Sequence, residues 1–180
     1  EGDTGPNTGG MGAVSPVPFA DAEFMTKVEE KVIKPTINGF KVESMDYVGF
    51  VFIGLMNIAG EPYVIEYNVR MGDPETQAVM MRVETDLVEL FIATANKTLD
   101  QITLQTSSQT ATTVVAVAGG YPNSYEKGKI ISGLANSEDA TVFHAGTKEE
   151  NGQVVTNGGR VLAVTGMSSD IQSALDKSYA

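Results

Sequence analysis

One stretch limits what this chain can become more than any other: Val64-Ile65-Glu66-Tyr67-Asn68-Val69-Arg70-Met71-Gly72-Asp73-Pro74-Glu75. Its apolar run predicts a strand, its polar centre a turn, and its proline the start of a helix. Strand side chains alternate, so Glu66 and Asn68 share one face while Ile65, Tyr67 and Val69 take the other. Two oxygen donors side by side on a rigid element suit a hard divalent cation such as Mg2+. Arg70 comes next on that face, where its fork suits a phosphate or a carboxylate. The plainer alternative is a strand with a wet polar face, although Glu and Asn are poor strand formers. Asp73 and Glu75 are further candidate ligands, and Asp73 fits equally well as a cap for the helix opened by Pro74.

The chain opens on Asp3-Thr4-Gly5-Pro6-Asn7-Thr8-Gly9-Gly10-Met11-Gly12. Glycines let backbone amides approach an anion, and successive amides form a nest. The motif is neither a phosphate-binding P-loop nor a dinucleotide fingerprint, and a flexible tail is the alternative. Cation donors, an arginine and a glycine-rich segment together suggest phosphoryl chemistry. Thr156-Asn157-Gly158-Gly159-Arg160 is a third candidate, although Asn-Gly is also a hairpin-turn signal. His144 is the single histidine, and without a cysteine partner it reads as structural.

The chain has 180 residues, enough for one large or two small domains with a hydrophobic core. A net charge of −11 repels a phosphate backbone, so nucleic acid is not an expected partner. The longest apolar run, 48–56, is broken by Gly49 and Gly54 and is too short to span a membrane. Nothing at the start resembles a signal peptide. With zero cysteines, a disulfide framework and thiol catalysis are excluded, which fits a reducing, cytoplasmic location. Glu1 stands where an initiator methionine would, and the glycine motif follows at once. These features lead us to expect a fragment in which part of any site is absent.

Residues 2–18 read as loop and 20–38 as a helix, with Phe24, Val28, Val32 and Ile33 inward and 27–31 as a solvated face. Pro35 should kink or end that helix, with Gly39 as its stop. Residues 47–56 read as a buried strand and 63–69 as its antiparallel return, across a turn at Gly60. After Pro74 comes a helix with apolar Ala78, Met80 and Met81. A second helix follows, capped by Thr85, with Leu87, Leu90, Phe91 and Thr94 on one face. Residues 99–110 read as a linker and 112–118 as a strand. Shorter strands are expected near 129–131, 141–144, 153–156 and 160–165. A last helix over 168–179 is expected to be capped by Ser168 or Ser169. The fold class is α+β, divided into 1–104 and 105–180.

The motifs also carry a resemblance. Asp3 to Gly12, Gly49-Phe50, Gly54-Leu55-Met56 and Ile65 through Gln77 resemble, in the same order, the phosphoribosylamine–glycine ligases. So do Gly119-Gly120-Tyr121-Pro122, Phe143 to Thr147 and Thr156 to Leu162. These enzymes, also called glycinamide ribonucleotide synthetases, are a family of ATP-grasp ligases. The resemblance covers essentially the whole chain. It implies the back half of an ATP-grasp domain (an antiparallel sheet with helices) followed by a small β-rich C-terminal domain. The family's N-terminal domain and adenine pocket would lie outside this chain, which is therefore expected to be inactive alone and to need that missing portion as its partner.

The implied reaction joins glycine to 5-phosphoribosylamine with ATP, through a glycyl phosphate, in the second step of purine synthesis. Under the resemblance, Glu66 and Asn68 are ligands of Mg2+ or Mn2+ bridging ATP phosphates. Arg70 and Asp73 are the catalytic candidates, with Arg70 stabilising the phosphoryl group. Asp3, Asn7, Thr8, Gly9 and Gly10 would hold the reacting carboxylate and ribose phosphate, Asp73 and Glu75 would orient substrate or Arg70, and Arg160 would reach the site from the C-terminal domain. One departure is visible. Many ATP-grasp enzymes carry another acidic ligand on the preceding strand, where this chain has Gly54, so water or phosphate oxygens would complete the shell. Alternatives are an ATP-grasp carboxylate–amine ligase with a different acceptor, or a non-catalytic binding module derived from one.

Overall fold

The computed structural model describes residues 4–136 and 139–180. The chain folds as two compact units, discontinuous in sequence. One comprises Glu1–Ser15, Asp73–Val83 and Thr106–Ala180; the other comprises Pro16–Gly72 and Glu84–Gln105. The sequence division after residue 104 falls beside one crossing between them, while the first fifteen residues and Asp73–Val83 cluster with the later segment. Among the described residues no helix is long and apolar enough to cross a membrane.

In the first unit the strand β4 (Thr110–Val117) is the spine. Its β-branched run Thr112-Thr113-Val114-Val115 favours extended backbone, and burial from both sides removes any polar alternation. β1 (Gly12–Ser15), β4, β8 (Arg160–Ser168) and β5 (Ala140–His144) form an antiparallel sheet in the order β1-β4-β8-β5. The expected loop over 2–18 therefore contains a strand: Gly12 to Ser15 pair with Val114 to Ala111. Four residues, opening on a glycine and followed by Pro16, are too few to show a period of two.

Two helices cover the sheet. On one face Thr112 Oγ1 lies 2.8 Å from Ser178 Oγ of α5 (Ile171–Tyr179). On the other, Thr113 Oγ1 meets Thr165 Oγ1 at 2.8 Å, on the side of Met81 of α3 (Glu75–Arg82). All four hydroxyl residues are buried, and each finds a partner within the core. The cap of α5 is Asp170, not Ser168 or Ser169. Ser168 ends β8, and the Asp170 carboxylate accepts the Ser173 amide at 2.9 Å. Hydrogen bonds from Ser173 hold that carboxyl below its ordinary range.

β6 (Thr147–Glu150) and β7 (Gln153–Thr156) make a separate hairpin. Its turn is Asn151-Gly152, with both φ values positive at 52° and 75°. That is the Asn-Gly signal of a primed turn. β6 escaped the sequence reading because Thr-Lys-Glu-Glu has no apolar alternation. Residues 129–131 contribute a single bridge, between Ile130 and Val155.

The second unit holds a long helical run: α1 (Ala22–Val28), a π-helical turn (Glu29–Ile33) and α2 (Lys34–Val42). Pro35 does not end it, and Gly39 does not stop it. Within the π turn the Lys34 amide reaches back five residues to Glu29 O, so the widened ladder takes in the proline that follows, which has no N–H to give. Phe24, Val28 and Val32 are buried, whereas Ile33 is exposed by the widened turn. Lys27 also departs from the solvated face: it donates to Gly60 O (3.0 Å) and pairs with Glu61 (3.2 Å). Lys31 pairs with the same carboxylate, and the two ammonium groups, Lys31 foremost, hold the Glu61 carboxyl below its ordinary range.

Glu61 opens β3 (Glu61–Asn68), antiparallel to β2 (Phe52–Ile58). β2 starts later than the expected strand over 47–56 and is half-buried rather than buried, with Met56 and Ile58 exposed. α4 (Leu87–Ala95) is capped by Asp86, which accepts the Val88 and Glu89 amides. Thr85 instead accepts the Gln105 amide. Ala93, Leu90 and Thr94 face inward, while Leu87 and Phe91 are exposed.

The buried hydroxyl between α5 and the sheet yields a stability test. Ser178 Oγ accepts the buried Gly166 amide at 3.0 Å and sits 2.9 Å from Thr112 O. Ser178→Ala is expected to lower unfolding stability by about 1–3 kcal/mol in urea titration, because it strips partners from buried polar groups. Exposed Ser132→Ala should change it by less than about 0.5 kcal/mol. Equal losses in the two variants would contradict the packing described.

Candidate functional site

The acidic pair of β3 has the arrangement that strand alternation predicts. Asn68 Nδ2 donates to Glu66 Oε1 at 3.0 Å, so the two side chains lie on one side. Tyr67, between them, points the other way and meets Thr36 Oγ1 of α2 at 3.0 Å. Glu66 is exposed and Asn68 half-buried. The register explains how the pair is set. Gly54 opposes Glu66, but Leu55 opposes Val64, which leaves Ile65 as the extra residue of a bulge. A bulge re-aims the side chains beyond it, and Glu66 is the first residue after this one. Across the ladder Gly54 leaves room: an ideal Cβ there would lie 3.1 Å from Glu66 Cγ.

Arg70 is placed differently from the expectation. β3 ends at Asn68, so the period of two does not reach Arg70. Its exposed side chain turns back along its own loop and donates from Nη1 to Met71 O at 2.9 Å.

In the first unit the glycine-rich segment is tied down from several sides. Gly9 N donates to the Tyr121 hydroxyl at 3.2 Å. Arg160 Nη1 donates to Gly10 O (2.9 Å) and Asp73 O (3.0 Å), and Nη2 pairs with Asp73 Oδ2 at 2.7 Å. The second oxygen of Asp73 accepts Gln77 Nε2 at 3.1 Å. Asp73 therefore does not cap α3 through a backbone amide; both its oxygens are engaged by side chains. Gly10 has no room for a larger residue, since a Cβ there would sit 2.5 Å from Pro74 Cδ. Asn7 and Thr8 are exposed, and Glu75 is the half-buried first residue of α3. Asp3 lies outside the described residues.

Thr156-Asn157-Gly158-Gly159-Arg160 is not a hairpin turn. It leaves β7, which pairs with β6, and enters β8, which pairs with β4 and β5. His144 ends β5, is exposed, and its Nδ1 shares a hydrogen bond with Thr147 Oγ1 at 3.0 Å. Sequence reasoning missed the contacts of Tyr121 with Gly9 and of Gln77 with Asp73. Both residues sit inside quoted motifs, but neither a phenol nor an amide announces a role without the partner that it finds in space.

The donor set fits a hard cation. Glu66 and Asn68 offer a carboxylate and a carboxamide oxygen, and both are accessible. Among the described residues no group of three or more His, Cys, Asp or Glu could hold a metal. A cation on this pair would thus complete its shell with water or substrate oxygens.

Comparison with known proteins fixes the class first. The fold is shared with biotin carboxylase from Campylobacter jejuni, with a TM-score of 0.60 at 14% identity over 93% of this chain and 36% of that one. It is shared more closely with phosphoribosylamine–glycine ligase from Thermotoga maritima, with a TM-score of 0.85 at 37% identity over 99% of this chain and 44% of that one. The chain thus has an α+β fold of the ATP-grasp type. Sequence models of phosphoribosylglycinamide synthetase match its ATP-grasp (A) domain to residues 1–76 and its C domain to residues 111–180. Phosphoribosylamine–glycine ligase of Vibrio vulnificus strain YJ016 is 49% identical over 180 residues, covering 98% of this chain and 42% of that protein. The chain belongs to the phosphoribosylglycinamide synthetase family, and spans less than half the length of the relatives cited.

The fit between Gly54 and Glu66 can be tested in solution. Gly54→Val is expected to displace Glu66 and break the Asn68 Nδ2 to Glu66 Oε1 hydrogen bond, moving the Asn68 side-chain amide resonances upfield in NMR spectra. Asn68 amide resonances at their original positions would contradict the steric reading.

Proposed function

We infer that this chain supplies the metal-binding strand and the glycine-rich substrate loop of a phosphoribosylamine–glycine ligase. The complete enzyme joins glycine to 5-phosphoribosylamine, giving glycinamide ribonucleotide, ADP and phosphate, in purine biosynthesis. The observation that carries this reading is the side-by-side pair Glu66 and Asn68, opposite a glycine, on a strand of an ATP-grasp fold. Family membership and 49% identity to a ligase of that name support it.

The roles follow from the chemistry of each group. Glu66 and Asn68 would hold Mg2+ or Mn2+, which supplies charge neutralisation at the nucleotide phosphates. Arg70 would offset negative charge on the transferred phosphoryl group, since its fork is free to rotate away from Met71 O. The glycine carboxylate takes that phosphoryl group, and the amine of phosphoribosylamine then displaces phosphate from the acyl carbon. Asp3, Asn7 and Thr8 of the glycine-rich segment would hold the reacting carboxylate and the ribose phosphate, with Gly9 and Gly10 shaping the loop and Asp73, Glu75 and Arg160 bordering it. The N-terminal portion of the same enzyme would complete the nucleotide site, and a cytoplasmic location belongs to the same reading.

Glu66→Ala in the full-length ligase tests this. Losing a metal-binding carboxylate is expected to lower kcat by about 100-fold or more at fixed metal concentration, with the melting temperature within a few degrees of the parent. Turnover within about twofold of the parent would remove the metal-ligand assignment.

A further inference from the structure

Arginine next to a substrate loop invites the reading that it binds a substrate anion. The geometry around Arg160 points elsewhere. Both hydrogens of Nη1 are directed at main-chain oxygens, Gly10 O and Asp73 O, and Nη2 is paired with Asp73 Oδ2. The guanidinium also lies against the loop itself: a Cβ on Gly9 would fall 2.9 Å from Cζ and 3.0 Å from Nε. Only a quarter of the side chain is exposed. An arginine reading a phosphate or carboxylate presents its fork to the ligand. Here the fork closes on the protein, joining the first residue of β8 to the glycine-rich loop and to the residue two before α3.

The partners reinforce this. Asp73 is gripped on its other oxygen by Gln77, one turn into α3, so the carboxylate is fixed from two directions. Tyr121 takes the Gly9 amide, and an amide donating to a phenol is not aimed at an anion. The tyrosine is itself fixed, because its ring packs over Gly159, where any side chain would fall into the ring, and beside Tyr125 at 6.1 Å between centroids.

We propose that Arg160 and Tyr121 are positioning residues: they clamp the glycine-rich loop at Gly9 and Gly10 against the Asp73 turn and do not themselves bind substrate. The clamp is a property of the first unit, and its consequence for turnover rests on the function proposed above. Three segments distant in sequence, at Asp73–Pro74, Tyr121 and Arg160, converge on two loop residues, which fixes where the following amides and carbonyls stand. Misplacement of such a loop by about 1 Å is enough to lose about 100-fold in rate.

The test uses a full-length ligase containing this segment, with Arg160→Ala, Arg160→Lys, Tyr121→Phe, Asp73→Asn and the Arg160→Ala/Asp73→Asn double variant. Hydrogen exchange is the first readout and needs no assay. Amides over 5–12 are expected to exchange faster in Arg160→Ala and Tyr121→Phe, while those of β2 and β3 stay as in the parent. Unchanged exchange over 5–12 overturns the clamp. Steady-state kinetics is the second readout. Arg160→Ala is expected to lower kcat by about 10- to 100-fold with each KM within about threefold of the parent. Arg160→Lys should restore part of the rate, and the double variant should be no slower than the slower single one. A KM for glycine or phosphoribosylamine raised more than about tenfold at unchanged kcat, with additive losses in the double variant, would make Arg160 a substrate ligand and overturn the proposal. Should Arg160→Ala fail to fold, Tyr121→Phe and Arg160→Lys decide the matter by the same two readouts. A parent enzyme that forms no glycinamide ribonucleotide would count against the proposed function alone, leaving exchange to judge the clamp.

Discussion

A carboxylate and a carboxamide two residues apart can act together only if the backbone between them is extended and in register. β3 meets both conditions. The antiparallel ladder with β2 fixes the extension, the extra residue at Ile65 fixes the phase, and Gly54 keeps the facing position clear. A slip of one residue would exchange Glu66 and Asn68 for Ile65 and Tyr67. The bulge and the glycine are therefore as much part of the candidate site as the two donors. The lysines of the helical run act on the same strand from its other end, where Lys27 and Lys31 bind Glu61.

The first unit solves a different problem. Its glycine-rich segment has few side chains with which to hold itself, so order has to be supplied from outside. The sheet does so by taking Gly12 to Ser15 as an edge strand. The sheet itself is stiffened by hydroxyl pairs on both faces, Thr112 with Ser178 and Thr113 with Thr165. Upstream of the strand the loop is held by side chains instead, Arg160 and Tyr121. Binding groups carried on backbone atoms need such support, because glycine carries the largest conformational entropy to be lost.

Much of this was legible in the sequence, and what was missed has identifiable physical causes. The hairpin, the face shared by Glu66 and Asn68, the strand at Thr110–Val117 and the last helix follow from periodicity, which is a local property. The ordered motifs identified the family, which the comparisons bear out. Failures arose where something outside the local hydrophobic pattern decided the outcome. Pro35 would break an isolated α-helix, but a π turn ahead of it absorbs the missing donor. Thr85 fits a cap by type, yet its hydroxyl is taken by the Gln105 amide while Asp86 caps the helix. Asn157-Gly158 has the composition of a primed turn, but the turn that uses that chemistry is Asn151-Gly152. The partners of Asp73 and Gly9 lie 87 and 112 residues away, a separation that no local pattern encodes.

The central claim is that Glu66 and Asn68 jointly bind the cation that serves the nucleotide phosphates. Anomalous diffraction from a full-length ligase crystal grown with Mn2+ and a non-hydrolysable ATP analogue addresses it most directly. The expected result is a manganese peak roughly 2–2.3 Å from a Glu66 carboxylate oxygen and from Asn68 Oδ1, with phosphate oxygens among its other ligands. A peak held by other residues, with neither Glu66 nor Asn68 in contact, would contradict it.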